Sequence, residues 1–145
     1  MKTWLIDTGP LVAFLDAADP GHGRVAACLE DFSGQLATTS AVITEAMYFV
    51  SAGEEGPRLL AEFVTLSRTE VYDLCWPPEL LEAALLMQKY ADTPMDFADA
   101  TLMLLAEALD VRDILTLDRR GFSTYRTRRR RGLRLVLDTV ADRKK

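Results

Sequence analysis

The chain has 145 residues, of which 49% are hydrophobic, with a mean hydropathy of +0.03 and a formal net charge of −5. Such a length fits one domain over residues 1–145, able to bury about two-thirds of the surface its unfolded chain exposes. No apolar run approaches the roughly 18 residues of a membrane span, and an acid at Asp7 comes too early for a signal peptide, so a cytoplasmic location is expected.

In chain order, residues 2–6 read as a strand ended by Asp7-Thr8-Gly9-Pro10, in which Asp7 or Thr8 can cap a helix over 11–17. A loop at 19–23 precedes a helix over 24–32. A strand at 35–38 leads into helices over 40–51 and 57–67, then a strand at 71–74. Pro77-Pro78 opens a helix to about Tyr90. Thr93-Pro94-Met95-Asp96 opens another to about Leu109, with Asp96 at the third helical position after a Thr93 cap. Residues 114–117 and 133–137 read as the last strands. Strands alternating with helices imply an α/β domain with a mainly parallel sheet.

Residue types narrow the chemistry. His22 is the single histidine, which excludes paired-histidine acid–base hydrolysis of RNA and a histidine-rich zinc site. A Ser-His-Asp triad would have to use His22, and no nucleophile-elbow motif accompanies it. Cys28 and Cys75 have no pairing motif and are expected to be reduced and buried. Charge is uneven: from Arg119 onward there are eleven Lys/Arg and two acids, so the C-terminal quarter is strongly basic and the rest strongly acidic.

Four acids stand in apolar surroundings. Asp7 and Asp118 follow the apolar runs Trp4-Leu5-Ile6 and Ile114-Leu115-Thr116-Leu117, at the strand ends where open α/β sheets bind ligands. A helix cap for Asp7 and a turn for Asp118 are the structural alternatives. On helical spacing Asp99 has Met95, Leu102, Met103 and Ala106 as neighbours, and Glu45 has Ala41, Val42, Tyr48, Phe49 and Ala52. Val42 stands three residues before Glu45, so a capping box does not explain that acid. A structural ion pair is the alternative for both. Asp96 is explained equally by capping and by a peripheral metal contact one turn from Asp99. Burying one unpaired carboxylate is costly, and clustering four requires a cation. An all-oxygen set suits Mg2+ or Mn2+.

Taken in order, Leu5-Ile6-Asp7-Thr8-Gly9-Pro10-Leu11-Val12, Thr44-Glu45-Ala46, Asp96-Phe97-Ala98-Asp99-Ala100 and Leu115-Thr116-Leu117-Asp118 resemble the PIN-domain ribonucleases, and among them the VapC-type toxins of toxin–antitoxin pairs. The resemblance covers residues 1 to about 140. It implies a PIN-like, three-layer fold with a five-stranded sheet flanked by helices, and an acidic pocket holding one or two Mg2+ or Mn2+ ions. Asp7, Glu45, Asp99 and Asp118 match the family's acidic quartet, and Asp96 an extra acid of some members. Thr8 and Thr116 match hydroxyl positions that orient carboxylates or water. The resemblance further implies a homodimer neutralised by an antitoxin. The segment Arg126-Thr127-Arg128-Arg129-Arg130-Arg131 is more basic than the family generally requires.

These residues imply metal-assisted hydrolysis of RNA by water, with Arg119, Arg120, Arg126, Arg128, Arg129, Arg130 and Arg131 as candidate phosphate contacts beside the pocket, or else as a solvated loop. A non-toxin PIN nuclease of RNA processing and a non-catalytic RNA- or protein-binding module stay open. An aspartate-nucleophile phosphatase would want an acid where Gly9 stands, and a phosphoacceptor domain would want paired acids after the first strand.

Overall fold

The apolar segments at 4–6 and 114–115 fall in neighbouring strands in the middle of the sheet, and this pairing sets the rest of the architecture. The computed structural model describes residues 1–142. β1 (Thr3–Ile6), α1 (Thr8–Leu15) and α2 (His22–Glu30) are followed by β2 (Gln35–Thr39), α3 (Ser40–Val50) and α4 (Gly56–Leu66). Then come β3 (Glu70–Tyr72), α5 (Pro77–Lys89), α6 (Phe97–Leu109), β4 (Asp113–Leu115), α7 (Arg119–Thr124), β5 (Arg134–Leu135) and α8 (Val136–Asp142).

The strand order is β3-β2-β1-β4-β5, and every pairing among the named strands is parallel. The chain moves outward through β2 and β3, then returns to the other side of β1. A topological switch point therefore falls between β1 and β4, where open sheets form their ligand crevice. Leu5 and Ile6 point to opposite faces, as successive strand residues must, yet both are 0% exposed. Helices thus cover both faces and the fold has three layers. Leu11, Val42, Ala46, Leu102, Leu105, Ile114 and Phe122 continue the core.

Several elements differ from the sequence expectations. β4 stops at Leu115, so Thr116 and Leu117 lie in the connection to α7 rather than in a strand. The apolar run at 133–137 divides into a two-residue strand and the start of α8. Runs this short carry no periodicity that separates strand from buried helix. Helix α7 was not foreseen. Its six residues are largely polar, and its clearest signal is the cap at Asp118. His22 opens α2 rather than sitting in a loop, its Nδ1 2.8 Å from the Ala13 carbonyl oxygen. Cys28 is buried as expected, but Cys75 is exposed, because it lies in the loop between β3 and α5. No helix among the described residues is long and apolar enough to cross a membrane.

Candidate active site

Asp7 leaves the carboxyl end of β1 and caps α1. One carboxylate oxygen accepts the Thr8 amide at 2.8 Å, and the other accepts the Thr116 hydroxyl at 2.8 Å. The Thr116 hydroxyl oxygen in turn accepts the Asp118 amide at 3.0 Å. One threonine therefore fastens the end of β1 to the turn after β4, and Asp7 and Asp118 are brought to the switch point together. Asp118 is exposed and caps α7, accepting the Gly121 amide at 3.0 Å. A side chain at Gly121 would collide with that carboxylate and crowd the Tyr125 hydroxyl, so the turn requires glycine for space.

The α6 terminus corrects the sequence reading. Asp96 itself is the N-cap, and Asp99, not Asp96, is the third helical residue. The two form a reciprocal capping box: Asp96 accepts the Asp99 amide at 2.8 Å, and Asp99 accepts the Asp96 amide at 3.2 Å. Thr93 does not cap. Pro94, beside it, instead gives its carbonyl to the Tyr125 hydroxyl, 2.7 Å away. The free amides and dipole of the α6 N-terminus ease the meeting of two negative side chains.

Asp7, Thr8, Glu45, Asp96, Asp99 and Asp118 all line one cleft of about 460 Å³, together with Gly9, Val12, Asp19, Phe49 and Leu117. Only part of the set is buried. Asp7 is 6% and Asp99 9% exposed, Glu45 is half-buried and Asp118 is open to solvent. Glu45 is not embedded in core as its apolar neighbours suggested: Tyr48 is 78% and Phe49 53% exposed. Asp19 was read as a loop residue and missed. It holds its turn by accepting the Gly21 amide at 2.8 Å, which is an ordinary use of Asp before Pro-Gly. Only the tertiary fold brings it to the cleft.

The electrostatics are those of crowded anions. Burial lifts the Asp7 carboxyl to about 6 against the hydrogen bonds from Thr116 and Thr8, with Asp96 and Glu45 adding repulsion. Asp99 is pushed to about 8 by burial and by the charges of Asp7 and Asp96. Burial also raises Glu45, helped by Asp96. Tyr125, 0% exposed, is held far above its ordinary range by burial and by Asp99, Asp118, Asp96 and Asp7. Among the described residues, none of the ion pairs involves Asp7, Glu45, Asp96, Asp99 or Asp118.

The arginines do not gather at this cleft. Arg128 pairs with Glu82 and Glu107, and Arg131 with Asp110. Asp110 caps the far end of α6 from Asp96, and a helix of this length separates its ends by about 20 Å. The 126–132 segment is closed by an antiparallel bridge between Arg126 and Gly132, and its Arg128 and Arg131 reach toward that far end. Within the run expected to contact phosphates, Arg128 and Arg131 are engaged by acids of α5 and of the C-terminal part of α6. Arg126 turns back on the Ser123 and Tyr125 carbonyls, while Arg129 and Arg130 are exposed. Arg119 and Arg120 follow Asp118 directly, and Arg119 pairs with Asp138.

The donor set fits a hard cation. It is all oxygen, carries no neutralising base, and includes a Thr8 hydroxyl buried without a hydrogen-bond partner among the described residues. As the side chains lie, no three acids, cysteines or histidines among the described residues converge on one point. That arrangement suits Mg2+ or Mn2+ held by one or two carboxylates and completed by water and phosphate oxygens, rather than a full protein cage.

Comparison with known proteins agrees with this geometry. Ribonuclease VapC26 of Mycobacterium tuberculosis is 34% identical over 124 residues, spanning 84% of this chain and 91% of that protein. The chain belongs to the VapC family of ribonucleases. No protein-family model matches it. Among solved structures, M. tuberculosis VapC20, described as a sarcin-ricin loop cleaving toxin, superposes with a TM-score of 0.73 at 16% identity, covering 79% of this chain and 89% of that one. VapBC2 from Rickettsia felis, bound to a promoter DNA fragment, gives 0.53 at 17% identity, covering 79% and 86%. FitAcB from Neisseria gonorrhoeae gives 0.56 at 17%, covering 77% and 85%. These likenesses establish the shared PIN-type α/β fold.

Proposed function

We propose that the protein is a Mg2+- or Mn2+-dependent endoribonuclease, the toxin of a toxin–antitoxin pair, acting in the cytoplasm as a homodimer that an antitoxin protein neutralises. The observation that carries the catalytic part is the cleft that Asp7, Glu45, Asp96, Asp99 and Asp118 line at the switch point of the sheet, with no basic partner among the described residues. The toxin reading is supported by kinship with VapC26 and by the fold shared with VapC20 and the VapBC2 complex.

In this reading Asp7 and Asp99 are the principal ligands, and Glu45, Asp96 and Asp118 complete the site or orient the attacking water. When bound, the ion supplies charge stabilisation to the phosphoryl group and makes water acidic enough to act as nucleophile near neutral pH. Thr116 fixes the Asp7 carboxylate through its 2.8 Å hydrogen bond, and the Thr8 hydroxyl stands beside Glu45. Of the basic set, Arg119 and Arg120 adjoin the cleft through Asp118 and are the phosphate contacts of this reading. Attack by water leaves 5′-phosphate and 3′-hydroxyl ends. A ribose 2′-hydroxyl attack would leave 2′,3′-cyclic phosphates.

The test is RNA cleavage with Mg2+ or Mn2+ by wild type and Asp7→Asn, with the product ends identified. The reading expects cleavage by wild type only, leaving 5′-phosphates. Equal cleavage by both, or cyclic phosphate ends, would overturn it. Growth arrest on expression, relieved by Asp99→Ala, tests the toxin assignment.

A further inference from the structure

Large aromatic side chains are seldom left in water without a use, and α3 exposes two in succession. Tyr48 is 78% and Phe49 53% exposed, with ring centroids 5.5 Å apart at 71° in an edge-to-face contact. Phe49 stands one helical turn after Glu45, so both project from the same side of α3. Phe49 lines the acidic cleft itself, with Val12, Leu117 and six carboxylates. The cleft therefore has two chemistries: a floor of oxygens suited to an ion and a phosphate, and an apolar rim suited to the flat face of a base.

Nucleotides present these two groups a few ångströms apart. A base stacks on an aromatic side chain only when it is unstacked from its neighbours, which holds for single strands and loops and not for the interior of a duplex. We infer that Phe49, backed by Tyr48, is the stacking platform for the base adjoining the scissile phosphate, and that it makes the cleft select unpaired RNA. The inference rests on the nuclease reading above and adds to it the residues that choose the substrate. Neither aromatic belongs to the core, so removing either leaves the fold intact.

The experiment uses a single-stranded RNA carrying the fluorescent base 2-aminopurine next to the mapped cleavage point, bound with Mg2+ present to non-cleaving Asp7→Asn protein. The same measurement is made with Phe49→Ala, Tyr48→Ala, Phe49→Leu and Phe49→Trp added to that protein. Stacking quenches the fluorescence. Phe49→Ala and Phe49→Leu should lose the quench and raise Kd about tenfold, Phe49→Trp should keep both, and Tyr48→Ala should show a smaller loss. In otherwise wild-type protein, Phe49→Ala should raise KM for the single strand more than it lowers kcat, and annealing the RNA to its complement should abolish wild-type cleavage. Unchanged quench and Kd in Phe49→Ala would overturn the inference while leaving the nuclease reading intact. If wild type neither binds nor cleaves RNA, both fall.

Discussion

The two ends of α6 carry the same residue types and treat them in opposite ways. At its N-terminus Asp96 and Asp99 share a cleft with Asp7, Glu45 and Asp118, with no basic partner among the described residues, and Asp7 and Asp99 are forced up to about 6 and about 8. Toward its C-terminus Glu107 and Asp110 each hold an arginine, as does Asp113 at the start of β4. Among the described residues the acids at the switch point have no such partner, and their mutual repulsion is a standing cost that a divalent ion would remove. Gathering in one cleft, more than burial, sets these carboxylates apart, since exposed Asp118 lines it and buried, arginine-paired Asp113 does not.

The sharpest way to break this contrast is to remove a carboxylate at the unpaired end. Asp99→Ala should reduce RNA cleavage by more than the about 10- to 100-fold that loss of an outer partner costs a metal site, and chelation of divalent ions should abolish cleavage in wild type. Retained activity in either case would contradict the assignment. Thr116→Val, which leaves Asp7 in place but frees one of its oxygens, should weaken Mn2+ affinity about 10- to 100-fold, read by calorimetry.

A pH series sharpens the contrast further. Asp7 and Asp99 bind protons more tightly in the folded chain than in the unfolded one. Stability of the metal-free protein should therefore be greatest at and below the ordinary carboxylate range, and fall as pH rises through about 6 and then about 8. Asp7→Asn should flatten the first part of that loss, roughly 3 kcal/mol at most, and Mn2+ should restore wild type but not the variant. Urea midpoints at pH 5 and pH 8.5, with and without the ion, read this directly. The smallest effect is expected at the paired end. Arg131→Ala breaks an exposed ion pair with Asp110 and should cost under about 1 kcal/mol, with cleavage unchanged.

How much of this was legible in the sequence follows from distance along the chain. Strand–helix alternation and the acids after apolar runs are local signals, and they were enough for the α/β architecture and for Asp7 directly after β1, whereas Asp118 lies beyond a short connection from the end of β4. Capping at α6 was misjudged by one turn, because Thr93 and Asp96 are both good caps and only the packed loop decides between them. The arginine run shows a different limit. Glu82, Glu107 and Asp110, the partners of Arg128 and Arg131, lie about 20 to 50 residues away, and no local pattern reveals those pairings. Asp19 and the exposure of Phe49 likewise depend on which elements surround the switch point.

Calorimetric titration of Mn2+ into the wild-type, Asp99→Asn and Arg131→Ala proteins puts the question to the molecule most directly. Binding by wild type and Arg131→Ala, lost in Asp99→Asn, is the predicted result. Undiminished binding by Asp99→Asn, or none by wild type, would mean that these acids endure one another's charge for some purpose other than holding a metal.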